Sequence, residues 1–337
     1  VVLLLFLIGL ELQPSRLWAM RGAVFGLGGA QVGATSLVIC LIALLFHVPL
    51  ASAAIVGVAL AMSSTAFATQ ILGEKNELGV AHGRAAFGIL LFQDVAAIPA
   101  LAIVPLLGAS QAVSARNPYV QFAIGAGVIA ALVIGGRHLL RPAFRLVAQA
   151  RSQELSTASA LLVVMGTALL MHSIGLSMAL GAFIAGVLLA DSEYRHELEA
   201  DIEPFKGLLL GLFFMAVGMS ANLRVLLVRP VAVTVIVVGI VAVKFAVLYG
   251  LGRLTKLSRR SSASLGVAIS QGGEFAFVIF AAAVAARAME GSLSELLVVA
   301  VTLSMVLTPL LFMARDAFDK WREANGAKRH SDATKTD

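Results

Sequence analysis

The 337-residue chain is 59% hydrophobic and only 13% charged, and its mean hydropathy is +0.94. Average soluble proteins carry about 25% charged residues, so this composition excludes a soluble domain. The long unbroken apolar runs exclude a membrane β-barrel, whose spans alternate over about ten residues. The single cysteine, Cys40, lies inside an apolar run, which excludes a disulfide framework and a cysteine-ligated metal cluster. The sequence therefore predicts an all-α polytopic membrane protein.

Ten apolar runs of helical length follow a shorter one at the start of the chain. The first begins at Val1 without an initiator methionine and soon ends, so we expect the chain to be N-terminally incomplete. It is not a signal peptide, because it has no basic n-region and no small-residue cleavage site. Two later runs are short for a span of about 20 residues. The runs lie at about 1–10, 22–46, 51–72, 85–108, 119–140, 156–173, 176–190 (short), 207–220 (short), 230–251, 262–286 and 292–314.

The net charge of +6 is explained by membrane topology. If the loop at 11–21 is cytoplasmic, the inner loops carry 14 Lys and Arg residues and the outer loops carry 4. Basic residues accumulate in cytoplasmic loops, so the positive-inside rule predicts a cytoplasmic C-terminus with a polar tail at 315–337. Nucleic acid is not needed as a partner to explain the basic composition.

The inner loop at 191–206 is acidic, unlike the other inner loops. It carries six carboxylates against Arg195 and Lys206. Such a segment is either a solvated, partly helical connector or a docking surface for a cytoplasmic regulatory element. The carboxylates are Asp191, Glu193, Glu197, Glu199, Asp201 and Glu203.

Gln93 and Asp94 lie side by side near the middle of the run at 85–108. Asp94 is about ten residues from either end, or roughly 15 Å at 1.5 Å per residue, so its short side chain reaches neither membrane surface. A carboxylate at this depth costs roughly 2.5–3.5 kcal/mol, and such residues usually mark ion or proton pathways. We interpret Asp94 as the ion- and proton-binding carboxylate of a secondary transporter. The alternative is a protonated aspartic acid that hydrogen-bonds a neighbouring helix.

Two other ionisable residues lie deep in apolar runs. Lys244 either extends along its helix to the membrane surface or pairs with Asp94 when no cation is bound, which would offset the burial of both charges. Glu274 follows Gly272 and Gly273, a pair that favours a break in the helix. Freed backbone groups at membrane depth must line a cavity or be otherwise satisfied. Glu274 therefore either stabilises the N–H groups at the start of a half-helix or binds substrate.

A matching interruption is expected in the run at 51–72. There Ser63, Ser64 and Thr65 could satisfy an unwound backbone, although serine and threonine also bond to the preceding turn in ordinary membrane helices. The three-helix set at 22–108 is thus repeated at 230–314. Two corresponding interrupted segments indicate an inverted-repeat transporter with a midplane site. In that fold two broken helices cross, and opposed half-helix ends surround an ion beside Asp94.

Four motifs are similar to one known family over nearly the whole chain. They resemble the membrane domain of Kef-type (glutathione-regulated) potassium efflux systems, in the monovalent cation:proton antiporter-2 family. The motifs are LFQD, ALAMSSTAFATQ, SQGGEFAF and the block from Gly181 to Ser220. The resemblance implies about thirteen spanning helices and an elevator-like movement. It also implies a core at about 22–108 and 230–314, dimerisation helices at about 1–10 and 156–220, and a linker helix at about 119–140.

The resemblance also assigns roles to individual residues. Asp94 resembles the essential ion-binding aspartate, and Gln93 stands where sodium-transporting relatives have Asp or Asn. Lys244 resembles the core lysine. The crossover residues are Ser63, Ser64 and Thr65 in the first half and Gly272, Gly273 and Glu274 in the second.

The acidic loop resembles the one through which a cytoplasmic nucleotide-binding domain controls Kef transporters. That domain, with its GxGxxG loop, and about two N-terminal helices of the family pattern are absent from this sequence. We therefore expect no cofactor in this chain, and regulation by glutathione or nucleotide is left open.

The leading hypothesis is a homodimeric K⁺/H⁺ antiporter of the bacterial inner membrane, with a separate cytoplasmic regulatory subunit as a candidate partner. Na⁺/H⁺ exchange by the same fold is the first alternative. A ligand-gated K⁺ channel is the second, but the sequence lacks a TVGYG-like filter. An intramembrane protease is disfavoured because HExxH is missing and only Asp94 and Glu274 could form a carboxylate pair. We therefore expect a transporter and not an enzyme.

Overall fold

The structure, a computed structural model, shows α-helices and no β-strand in the part of the chain that it describes. It describes residues 2–11, 21–109, 153–173, 178–190 and 222–333, with a few separate helical residues in 127–136 and 207–219. A π-helical stretch, Gly22–Gly28, continues directly into the second α-helix. The α-helices are α1 (Val2–Glu11), α2 (Gly29–Leu45), α3 (Leu50–Ala61), α4 (Thr65–Glu74), α5 (Ala81–Ala109), α6 (Gln153–Ser173), α7 (Met178–Ala190), α8 (Leu223–Val228), α9 (Pro230–Leu254), α10 (Arg259–Ile269), α11 (Glu274–Ala285) and α12 (Gly291–Ala333).

Several of these helices can cross a membrane, as the composition predicts. Among the described residues five spans are long and apolar enough, with α3 and α4 together counted as one of them. Helices α10 and α11, bent by 46° at their junction, would form a sixth. The linker helix predicted at 119–140, the run at 207–220 and the acidic loop at 191–206 fall outside the continuously described ranges.

Two segments differ from the sequence prediction. Helix α8 forms at Leu223–Val228, where a loop was expected, and its N-cap residue Asn222 accepts a hydrogen bond from the backbone N–H of Arg224. Helix α12 continues to Ala333, through most of the predicted polar tail. That segment is rich in Ala, Lys and Arg, which favour helix, so the helix need not end where its apolar face ends.

The two halves of the protein use the same turn at corresponding places. Four non-glycine residues in the described chain have positive φ angles of 55–63°. Each follows the end of a helix, and the next N–H donates to a carbonyl five residues back, which satisfies the end of the helix in a Schellman motif. The four residues are His47, Asn76, Lys256 and Arg287, and the four bonds are Val48 to Ala43, Glu77 to Leu72, Leu257 to Gly252 and Ala288 to Ala283.

These turns define the repeat. In the first half they follow α2 and α4, and in the second half they follow α9 and α11. Each half is therefore an unbroken helix, a broken helix and a second long helix, which are α2, α3/α4 and α5 and then α9, α10/α11 and α12. This is the inverted-repeat fold with two broken helices that the sequence predicts.

Helices α1 and α7 pack closely through glycine. A Cβ at Gly186 would lie 2.1 Å from the Phe6 carbonyl oxygen, and a Cβ at Gly9 would lie 2.4 Å from the Phe183 carbonyl oxygen. Small residues let membrane helices approach closely and gain van der Waals contact. Helix α6 packs on the same group, and the three helices share a buried core of Phe6, Leu10, Ala160, Val164, Ala182, Ala185 and Leu189.

A charged cluster ties the turn between α4 and α5 to α12. The Arg315 guanidinium donates to the two carboxylate oxygens of Glu77 at 2.8 and 2.9 Å and also to Asp316, which Lys75 contacts as well. The His82 Nε2 lies 2.9 Å from the second oxygen of Glu77. Burial would raise the pKa of Glu77, but the hydrogen bonds from Arg315 and His82 outweigh it, and the pKa is lowered. The turn that leads into the Asp94 helix is therefore joined to the last helix.

We predict that Gly186→Ala destabilises the protein by about 1–3 kcal/mol, because the new methyl group overlaps the backbone of α1. Gly166→Ala on α6 is the matched control, since an added Cβ there meets nothing within 4 Å. Thermal unfolding of both purified variants in detergent tests this. Equal unfolding temperatures for the two variants would contradict the packing.

Candidate functional site

The two breaks in the helices meet at the centre of the repeat. One lies between α3 and α4 and the other between α10 and α11. The Ser63 hydroxyl donates to the Ile269 carbonyl at 2.7 Å, which joins the first break to the end of α10. A Cβ on Gly273 would lie 2.6 Å from the Ser63 carbonyl oxygen. Its φ of −123° is open to any residue, so glycine is needed at this position for the close approach of the two breaks.

Two half-helices begin at the crossing, and Glu274 lies beside both beginnings. It is the first residue of α11, and its side chain lies beside Ser64, the N-cap of α4. The first N–H groups of a helix carry partial positive charge, so a carboxylate is favourable there. The structure thus brings Glu274 close to Ser64, a residue of the other break. The other Glu274 oxygen, Oε2, is buried and has no partner within the described part of the chain.

Two half-helices also end at the crossing, and Lys244 lies between these ends. Its Nζ donates to the carbonyl of Met62, the C-cap of α3, and to the carbonyl of Gln271, just beyond α10, both at 2.6 Å. The last carbonyls of a helix carry partial negative charge, so the ammonium stabilises both ends. Lys244 is fully buried and does not reach the membrane surface. Both of its hydrogen bonds go to these carbonyls. Within the described part of the chain, which includes Asp94, no salt bridge joins Lys244 to Asp94.

Asp94 lies on α5 next to the first crossover and is only 8% exposed. Its Oδ1 accepts a hydrogen bond of 2.9 Å from the Thr65 hydroxyl. Thr65 is the first residue of α4, so the carboxylate lies near the positive end of that half-helix. The structure therefore brings Asp94 and the predicted crossover residues into one group.

Gln93, the neighbour of Asp94, connects α5 to the first break. Its Oε1 accepts a hydrogen bond from the Ser63 N–H at 2.7 Å. Its Nε2 donates to the Gln31 Oε1 at 2.7 Å and to the Ala61 carbonyl at 3.3 Å. Gln31, on α2, is fully buried, and the sequence analysis missed it. The one signal that could have found it is an uncharged amide inside the apolar run at 22–46.

The second half braces its own break in the same way. The Ser304 hydroxyl on α12 accepts a hydrogen bond of 3.0 Å from the Gly272 N–H. In each half the acceptor follows the positive-φ turn residue by the same number of residues, Gln93 after Asn76 and Ser304 after Arg287. The two acceptors therefore occupy corresponding positions of the repeat. The residue after Gln93 is Asp94, whereas the residue after Ser304 is Met305. The architecture is symmetric, but only the first half has a carboxylate at this position.

The second crossover also keeps unused hydrogen-bonding capacity. Within the described residues, the side-chain amide of Gln271 and the hydroxyl of Ser270 are buried without partners, like the Glu274 Oε2. Buried polar groups normally have hydrogen-bond partners. The crossing therefore offers oxygen atoms, the ligand type that hard cations prefer, beyond those of Asp94 and Thr65.

A known family matches this chain over most of its length. A family model described as "Sodium/hydrogen exchanger, transmembrane" covers residues 1–313. The chain belongs to this family. It is therefore a multi-pass membrane protein of the monovalent cation:proton exchangers, as the fold indicates, and its family is one of transporters. The described crossing of broken helices lies wholly inside the matched region.

We predict that Lys244→Met lowers the stability of the protein by about 2 kcal/mol, because hydrogen bonds to a charged group contribute about 1.5–3 kcal/mol. The variant keeps the buried volume but leaves the carbonyls of Met62 and Gln271 without their donor. Thermal unfolding in detergent measures the loss. An unchanged unfolding temperature would show that the ammonium does not stabilise the two half-helix ends.

Proposed function

We propose that the exchanger moves K⁺ against H⁺ by alternating access, with Asp94 as the shared binding site. The observation that carries this proposal is the contact between the Asp94 carboxylate and Thr65 at the start of α4. It places a deeply buried carboxylate where a broken helix offers partial positive charge and free backbone groups. Intramembrane carboxylates in such positions usually lie on ion or proton pathways.

The coupling follows from the use of one carboxylate, Asp94, by both ions. Asp94 can carry a proton or neutralise a cation, but not both, so each exchange of one for the other links the two fluxes. The Thr65 hydroxyl and the positive end of α4 help to keep the ionised form stable between the two loaded states. Lys244 and Glu274 hold the half-helix ends together, so the crossing is able to move as one unit between the two sides of the membrane.

K⁺ is the favoured cation because of the Gln93–Asp94 pair and its resemblance to Kef-type systems. An amide beside Asp94 adds no second negative charge, so the site has a weaker field than a pair of carboxylates. A weak field does not compensate the high dehydration cost of a small ion. The site therefore favours a larger ion that loses its water more easily. Na⁺/H⁺ exchange is the second candidate, and the description of the matching family favours it.

The proposal includes further features suggested by the charge pattern and the Kef resemblance. The protein is placed in a bacterial inner membrane with a cytoplasmic C-terminus, and it forms a homodimer through the α1, α6 and α7 group. A cytoplasmic regulatory subunit binds the acidic loop. The loop residues are Glu193, Glu197, Glu199, Asp201 and Glu203. The exchange itself needs no cofactor within this chain.

We predict that Asp94→Asn abolishes cation-driven proton movement in proteoliposomes, because asparagine can carry neither the proton nor the neutralising charge. Glu295→Gln, which neutralises an exposed carboxylate on α12, is the matched control and should exchange like the wild type. Exchange by the Asp94→Asn variant at the wild-type rate would refute the proposal.

We predict that Gln93→Asp shifts the cation preference from K⁺ towards Na⁺, about tenfold in the ratio of the apparent KM values, because a second carboxylate strengthens the field of the site. Exchange with K⁺, Na⁺, Rb⁺ and Li⁺ should be compared in the same proteoliposomes. If the wild type already prefers Na⁺ and the variant is unchanged, the Na⁺/H⁺ alternative replaces the K⁺ proposal.

A further inference from the structure

A chain of buried amides links α2 to the candidate ion site. Gln31 accepts from Gln93 through its Oε1, and its own Nε2 donates to the Thr35 hydroxyl and to the Ala61 carbonyl, both at 3.2 Å. Gln31 and Gln93 are both fully buried. Gln93 precedes Asp94 in the sequence and binds the first break through the Ser63 N–H.

Backbone groups determine which way both amides point. The Ser63 N–H can only donate, so the Gln93 end that faces it must be the oxygen Oε1. The Gln93 nitrogen then faces Gln31 and requires an acceptor there, which sets the Gln31 oxygen. The Gln31 nitrogen in turn faces the Ala61 carbonyl, which can only accept. The Ser63 N–H and the Ala61 carbonyl therefore determine the orientation of both amides. The nitrogen and oxygen of each side chain are assigned by these backbone partners.

The backbone of α2 is shaped to bring Gln31 to this place. The π-helical stretch Gly22–Gly28 ends just before Gln31, and such stretches occur frequently at functional sites. A Cβ on Gly28 would lie 2.4 Å from the Cβ of Phe92, the residue before Gln93. The ring of Phe92 also meets Phe25 edge to face, with centroids 6.0 Å apart. Glycine at position 28 thus permits the close approach that puts the two amides within 2.7 Å.

We propose that Gln31 is a positioning residue that holds the Gln93 amide against the first break and thereby sets the cation preference of the exchanger. This inference rests on the proposed function of Asp94. When Gln31 loses its acceptor oxygen, the Gln93 nitrogen keeps only the longer bond to the Ala61 carbonyl. The amide then turns, and the Ser63 N–H loses its partner. Thr65, which binds Asp94, is two residues further along, so the geometry around the carboxylate changes with it.

The test compares two variants for exchange with K⁺, Na⁺ and Rb⁺ in proteoliposomes. Gln31→Met keeps the volume and removes every hydrogen bond, and it should raise the apparent KM for K⁺ about tenfold and bring the K⁺ and Na⁺ values together. Ser52→Ala, which removes a buried hydrogen bond to the Ala288 carbonyl away from the Gln93–Asp94 pair, should leave the preference unchanged.

A double-mutant cycle separates positioning from a general loss of stability. If Gln31 acts through Gln93, adding Gln31→Met to Gln93→Met changes the cation preference no further. Cation-dependent thermal stabilisation of the purified variants in detergent gives the same comparison without transport, so a variant that exchanges too slowly is still informative. Additive effects, or a wild-type preference in Gln31→Met, would overturn the inference.

Asp94→Asn in the same preparations distinguishes failure of this inference from failure of the proposed function. If the wild type shows no exchange that depends on Asp94, the proposed function itself is refuted. If exchange depends on Asp94 but Gln31→Met keeps the wild-type cation preference, only the role of Gln31 is refuted.

Discussion

Breaking two helices inside a membrane releases backbone groups that lipid cannot satisfy, and the rest of this structure is arranged around that constraint. The two half-helices that end at the crossing share one cation, Lys244, which donates to the carbonyls of Met62 and Gln271. The two that begin there share one anion, Glu274, which meets Ser64. A single pair of opposite charges thus compensates four half-helix ends. Either charge alone would be costly to bury, and the helix ends give each one a compensating partner without a direct ion pair.

The repeat makes the architecture symmetric and leaves the chemistry asymmetric. Both halves close their helices with the same positive-φ turn and brace their breaks with an acceptor on the third helix, Gln93 in one half and Ser304 in the other. Asp94 follows the first acceptor, whereas Met305 follows the second. A midplane crossing with two equivalent carboxylates would bring two like charges together, and one of them would be forced to stay protonated. One carboxylate at this position of the repeat, Asp94, is left to be shared between proton and cation, while Glu274 lies at the half-helix beginnings.

The sequence predicts the class of fold and both breaks because these depend on local composition. Apolar length identifies the spans, and paired glycines or clustered hydroxyls identify places where a helix can open. For Gly273 the sequence predicts a flexible backbone at the break. The structure shows a different reason for glycine, because a Cβ there would overlap the Ser63 backbone. Partners across the crossing were not predictable. Nothing in the local sequence says that the ammonium of Lys244 meets two carbonyls that lie 182 and 27 residues away. Hydropathy does not predict the continuation of α12 to Ala333, because helix propensity persists beyond the apolar part of the segment.

The same limit applies to Gln93, whose sequence position suggested a residue that selects the cation. Its amide nitrogen donates to Gln31 and to the Ala61 carbonyl, and its oxygen already accepts from Ser63. A cation could use only the remaining lone pair of that oxygen, because the two amide protons point the other way. Direct coordination is therefore a small part of what this side chain can offer. Its larger effect is mechanical, because it fixes the distance between the Asp94 helix and the break that carries Thr65. Selectivity for an ion of a given size follows from such fixed distances only if the surrounding groups resist adjustment, and a buried amide held at both ends by backbone groups provides that resistance.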